Sequence, residues 1–164
     1  MLDANIHESL STLTASQLAM LLVMRKGLDF GYDYTFTDDD GQSCTVDLAF
    51  LAAAPGDLLE VIFEENEHDD AINEVRYEAE AASGIPEWCH YSWGRNYEVD
   101  VKAFILPDGR ALAFCEMSGG GKFGEPNAYP WVKEAKFIKV TGVQERVIKT
   151  YMFEELPDAA ESQP

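Results

Sequence analysis

The stretch from Asp57 to Ala82, DLLEVIFEENEHDDAINEVRYEAEAA, holds ten carboxylates and one basic residue, Arg76. Placed at about 100° per residue, it resolves into two faces. Glu60, Glu64, Glu67, Glu74 and Glu78 share one, flanked by Asp57 and Asp70. Leu58, Ile62, Ile72, Val75, Ala79 and Ala82 form an apolar stripe on the other. Carboxylates one turn apart stand about 5 to 6 Å from each other and destabilise an isolated helix. Only burial of the stripe against a core can outweigh that. The expectation is one long acidic helix packed on a sheet.

Before it, residues 5–26 read as a helical segment, apolar almost all round through Leu18, Leu21, Leu22 and Met24, hence buried. Thr14 and Gln17 have the form of a capping box, and Gly27 is a natural stop. Phe30, Tyr32, Tyr34 and Phe36 alternate with small or polar residues, which predicts a strand. Asp38-Asp39-Asp40-Gly41 turns it, and Cys44, Val46, Leu48 and Phe50 alternate on a return strand. After the acidic helix, Ser83 to Pro86 break the chain, and residues 88–93 are aromatic and short, a strand or an irregular segment. Tyr97 to Ile105 alternates cleanly, Pro107-Asp108-Gly109 turns, and Arg110 to Met117 returns. Ser118 to Pro126 is a glycine-rich loop, Ala128 to Glu134 holds a helical turn, and residues 136–140 and 146–153 read as a final hairpin. The fold class is α+β, mainly an antiparallel sheet built from hairpins. Residues 1–156 read as one globular domain and 157–164 as a loose polar tail.

Composition narrows the function classes. The formal net charge is −18 in 164 residues, and 46% of residues are hydrophobic. The acid is local. Residues 1–82 hold eighteen acidic against three basic residues, a balance of −15; residues 83–164 hold twelve against nine, −3. Such a chain repels nucleic acid and anionic membranes and attracts a basic partner or cations. Cys44, Cys89 and Cys115 are too few for a disulfide framework. Cys44 and Cys115 fall in apolar alternation and are expected as buried, reduced thiols. The start, Met1-Leu2-Asp3, lacks the pattern of a signal peptide, and a cytoplasmic location is expected.

Few motifs carry chemistry. Gly119-Gly120-Gly121-Lys122 is followed by Phe123, so the Ser or Thr of a P-loop is missing. Lys122, Phe123 and Tyr129 are kept as secondary partner-contact candidates. Glu65-Asn66-Glu67-His68 is a single Glu-x-x-His, whereas di-iron bundles need two, so no metal is expected. There is no nucleophile elbow, and Cys89 and His90 would face opposite ways on a strand. No catalytic residue and no cofactor are assigned.

The acidic face remains, with Asp33, Asp38, Asp39 and Asp40 nearby. DNA carries one charge per about 1.7 Å of axis, and a helix with carboxylates every turn offers a comparable local field. In size, charge and charge placement the chain resembles the small acidic proteins of phages and plasmids that inhibit restriction enzymes and CRISPR complexes. That resemblance implies a non-enzymatic, DNA-mimicking inhibitor of a basic nucleic-acid-binding protein. The expected contact residues are Asp57, Glu60, Glu64, Glu67, Asp70, Glu74 and Glu78 with Asp38, Asp39 and Asp40. An immunity or antitoxin protein neutralising a basic nuclease fits the same composition. A rival of another class is a small-ligand or enzyme domain sited near Ser118–Pro126 and the Trp88–Arg95 aromatics.

Overall fold

The computed structural model describes residues 12–82, 97–119 and 131–145. It is an α+β fold with two antiparallel sheets. The elements run α1 (Ala15–Asp29), β1 (Thr35–Thr37), β2 (Ser43–Thr45), α2 (Leu48–Ala53), α3 (Gly56–Glu65), α4 (Asp69–Glu78), β3 (Glu80–Ala82), β4 (Tyr97–Ile105), β5 (Arg110–Gly119), α5 (Trp131–Glu134) and β6 (Lys136–Lys139). β1 and β2 form a small ribbon, and the other four strands lie in the order β3-β4-β5-β6.

The buried helix α1 is the element on which α2, α3, α4 and α5 all pack. Leu18, Ala19, Leu21, Val23 and Met24 are almost wholly inaccessible. Its start is the expected capping box: Thr14 Oγ1 accepts from the Gln17 amide at 3.2 Å, and Gln17 Oε1 accepts from the Thr14 amide at 3.0 Å. Its end differs from expectation. The helix runs through Gly27 and stops two residues later. Gly31, at φ 85°, adopts the left-handed conformation, and the amides of Gly31 and Tyr32 donate to the carbonyls of Leu28 and Gly27. Gly27 is needed for another reason: a Cβ there would lie 1.8 Å from the Tyr34 hydroxyl.

Three further expectations are corrected. The long return strand after Asp40 is short, because Asp47 starts a helix instead. Its carboxylate accepts from the Phe50 amide at 2.7 Å, so Leu48 and Phe50 belong to α2. The acidic helix is two helices, broken at Asn66–His68. Its last residues, Glu80 to Ala82, are a strand paired with Ala103, Lys102 and Val101.

The β4–β5 hairpin forms as expected, with Val101 opposite Cys115 and Ala103 opposite Ala113. Ala111 to Cys115 are buried one after another, so β5 is covered on both faces in the middle of the sheet. β6 pairs with β5. The expected partner at 146–153, the aromatic segment 88–93, the start of the first helical segment and the tail at 157–164 lie outside the described residues. Among the described residues, no helix is long and apolar enough to cross a membrane.

Candidate functional site

The acidic region is organised by the elbow between α3 and α4. Two side chains stop α3 by taking the carbonyls of its last turn. Asn66 Nδ2 donates to Ile62 O at 2.7 Å, and His68 Nε2 lies 2.8 Å from Phe63 O. Unsatisfied carbonyls at a helix end need such partners. Asn66 also spans to the ribbon, donating to Thr35 O at 2.8 Å and accepting from its amide at 3.2 Å. His68 Nδ1 lies 3.1 Å from the Tyr34 hydroxyl. The elbow is thus fixed to β1 and, through Tyr34, to α1. α4 then restarts with Asp69 and Asp70 in its first turn, where the helix dipole favours negative charge.

The expected contact residues divide between the two helices, and the single continuous face does not exist. Asp57, Glu60 and Glu64 lie on α3, Asp70, Glu74 and Glu78 on α4, and Glu67 on the elbow; all seven are exposed. Three are engaged by other described residues. Glu60 accepts from Gln17 Nε2 at 2.8 Å, Glu64 pairs with Lys133 of α5, and Glu78 pairs with Lys26 of α1. The Glu78 hydrogen bond is the main reason the Lys26 ammonium is held above its ordinary pKa. Glu67, Asp70 and Glu74 make no ion pair among the described residues.

Asp38 forms the turn. It is half-buried, and its Oδ1 accepts from the amides of Asp40 and Gln42 at 3.0 and 2.8 Å. Asp39 and Asp40 are exposed at the ribbon tip. Lys122, Phe123 and Tyr129 lie outside the described residues, as does the loop from Gly120 to Pro126.

The fold brings together a cleft that the helical projection did not reveal. It has a volume of about 350 Å³ and is lined by Tyr32, Asp33, Tyr34, Asn66, Glu67 and Asp69. Tyr32, Tyr34, Asn66 and Asp69 were missed as site residues. The available signal was Asn66, a residue that favours helix ends, set within a run otherwise read as continuous helix. A second cleft of about 760 Å³ lies between α1, the end of α4 and β4. It has an apolar floor that includes Leu22, Val75 and Phe104, and its rim carries Arg25, Lys26, Asp29, Glu78 and Glu80. Arg76, the one buried arginine among the described residues, joins α4 to the sheet. Its Nε stands 3.5 Å from Glu116 Oε1, and Lys102 Nζ stands 3.4 Å from Glu116 Oε2.

The thiols differ from each other. Cys44 is half-buried, with its Sγ 3.6 Å from Asp38 Oδ2. Desolvation first, and the Asp38 carboxylate second, raise its pKa. Cys115 is buried as expected but is disulfide-bonded, which corrects the expectation of a reduced thiol. No set of three or more His, Cys, Asp or Glu side chains is placed to hold a metal ion among the described residues. Both nitrogens of His68 already have protein partners, so its Glu-x-x-His supplies no imidazole ligand. Comparison with family models, with curated proteins and with solved structures returns no match.

Proposed function

We propose that this chain binds a basic protein surface through the α3–α4 elbow and the adjoining ribbon, and so blocks a nucleic-acid-binding groove as a DNA mimic would. The supporting observation is the cleft at the elbow. Asp33, Glu67 and Asp69 line it together with Tyr32, in a space large enough to admit a lysine or arginine side chain. Carboxylates accept charge-assisted bonds from such a side chain, and a tyrosine ring such as that of Tyr32 attracts its cation. Asp70 and Glu74 extend the field along α4. The partner class is a nucleic-acid-binding enzyme or complex of the kind that phages and plasmids must evade. The reading involves no catalysis by this chain and sets its action in the cytoplasm. The Cys115 disulfide weighs the other way, since disulfides persist in oxidising compartments. Its redox state in protein taken from cells without reductant decides that point.

The test is charge reversal at Glu67, Asp69, Asp70 and Glu74, leaving Glu60, Glu64 and Glu78 to their internal partners. Wild type and variant are compared as baits at low salt in host lysate, and captured proteins are then assayed for loss of nucleic-acid binding. The expected result is a basic nucleic-acid-binding protein held by the wild type, displaced from its nucleic acid, and lost by a folded variant. Equal capture by both baits would show that the acid is only a solvated surface.

A further inference from the structure

The elbow has a titratable centre that the acidic surface does not use. His68 is 5% exposed, and its ring stacks on Phe63 with 4.1 Å between centroids and 11° between planes. Phe63 O, 2.8 Å from Nε2, can only accept, so Nε2 carries the proton. Nδ1 is then the acceptor for the Tyr34 hydroxyl at 3.1 Å. Tyr34 is 1% exposed, and its hydroxyl fills the space beside Gly27. The neutral imidazole therefore joins α3, the segment before β1 and, through Tyr34, α1.

We propose that neutral His68 is a proton-operated latch on the α3–α4 elbow, and that acidification opens the elbow by protonating Nδ1. A proton on Nδ1 turns the acceptor into a donor facing the Tyr34 hydroxyl. That hydroxyl must then give up its bond and turn its own hydrogen away, against the backbone of Gly27. The charge created lies between the Phe63 and Tyr34 rings, away from water. Glu64 of α3 and Asp69 of α4 favour the charged ring, but both are exposed. Asp33 and Glu67 stand beside Tyr34 in the cleft, Tyr34 itself stays neutral with its pKa pushed up to about 12, and α1 presents only the uncharged Gly27. Desolvation dominates and lowers the His68 pKa from 6.5.

A group whose folded pKa lies below its unfolded value binds its proton more readily when the elbow is open. The latch therefore holds fully above pH 6.5 and weakens as pH falls from 6.5 to the folded pKa. Over that window the opening equilibrium rises up to about tenfold per pH unit. Relief of carboxylate repulsion acts in the opposite direction, since it stabilises the acidic chain as pH falls. The latch does not depend on the partner reading, because its readout is the fold alone.

The experiment is a pH series on the full chain from 7.5 to 5, following His68 by ring-carbon NMR and the Ile72 and α3 last-turn amides by hydrogen exchange. The expected results are a His68 pKa below 6.5 and exchange that accelerates, after correction for intrinsic rates, with the same midpoint. His68→Gln, which cannot take up the proton, should remove that pH dependence. Tyr34→Phe, which removes the donor to Nδ1, should raise the His68 pKa. Titration of His68 at or above 6.5 in the folded chain would overturn the proposal, even if the glutamine variant fails to fold. So would elbow exchange that stays flat while His68 titrates.

Discussion

Tyr34 occupies the space that a side chain at residue 27 would need. A Cβ on Gly27 would lie 1.8 Å from the Tyr34 hydroxyl and 2.7 Å from its ring carbon, in a core without slack. Alanine is the better helix former by about 1 kcal/mol, so propensity alone favours Gly27→Ala. Sterics should win, and we expect a net loss of about 1 to 3 kcal/mol in urea unfolding. A variant as stable as wild type would mean that Tyr34 is not seated against α1. Cys44 offers a second check at this scale. Burial and Asp38 both disfavour its thiolate, so alkylation at pH 8 should be slower than that of an unstructured thiol. Asp38→Asn keeps the oxygen that holds the turn and removes the charge, and should speed the reaction modestly. A wild-type rate equal to that of a model peptide would contradict the geometry around Asp38.

At the scale of elements, the elbow is where the sequence was hardest to read. The apolar stripe was real: Ile62 and Val75 are buried, and Leu58 and Ile72 pack against the core. Periodicity does not register a break whose two halves both keep their stripe inward, and so Asn66–His68 passed as helix. The bonds that stop α3 are local, from Asn66 to Ile62 O and from His68 to Phe63 O, but the side chains that make them are held by partners across long sequence separations, Asn66 by Thr35 and His68 by Tyr34. The β4–β5 hairpin and the Thr14 cap were legible because each is fixed by local pattern. α2 was missed because alternation over Cys44 to Phe50 masks a helix start at Asp47. The contact residues were legible as exposed acids but not as a cleft, since the cleft exists only once the elbow has formed. Asn66→Ala removes three hydrogen bonds at once. The loss should be about 1 to 3 kcal/mol in chemical denaturation, with faster hydrogen exchange in both β1 and the end of α3. A change confined to α3 would show that Asn66 does not tie the helix to the ribbon.

The whole molecule is shaped by its charge, and salt should act on it in two opposite ways. A formal charge of −18, most of it in the first half of the chain, repels itself in the compact state. Two of the acids, Glu64 and Glu78, pair with Lys133 and Lys26, yet exposed ion pairs contribute only about 0 to 1 kcal/mol each. They relieve the repulsion locally and leave the field around Glu67, Asp69, Asp70 and Glu74. Screening shortens the reach of that field from about 10 Å at 0.1 M salt to about 3 Å at 1 M. The melting temperature should therefore rise as sodium chloride is raised from 0.02 to about 0.3 M, because self-repulsion is screened over this range. Partner binding should weaken over the same range, mainly through slower association, because the steering field is screened as well. The four-residue reversal at the elbow should flatten both curves together. A melting temperature that ignores salt would mean that the ion pairs and the chain layout already balance the charge. Binding that ignores salt while the melting curve responds would separate the partner surface from the acid.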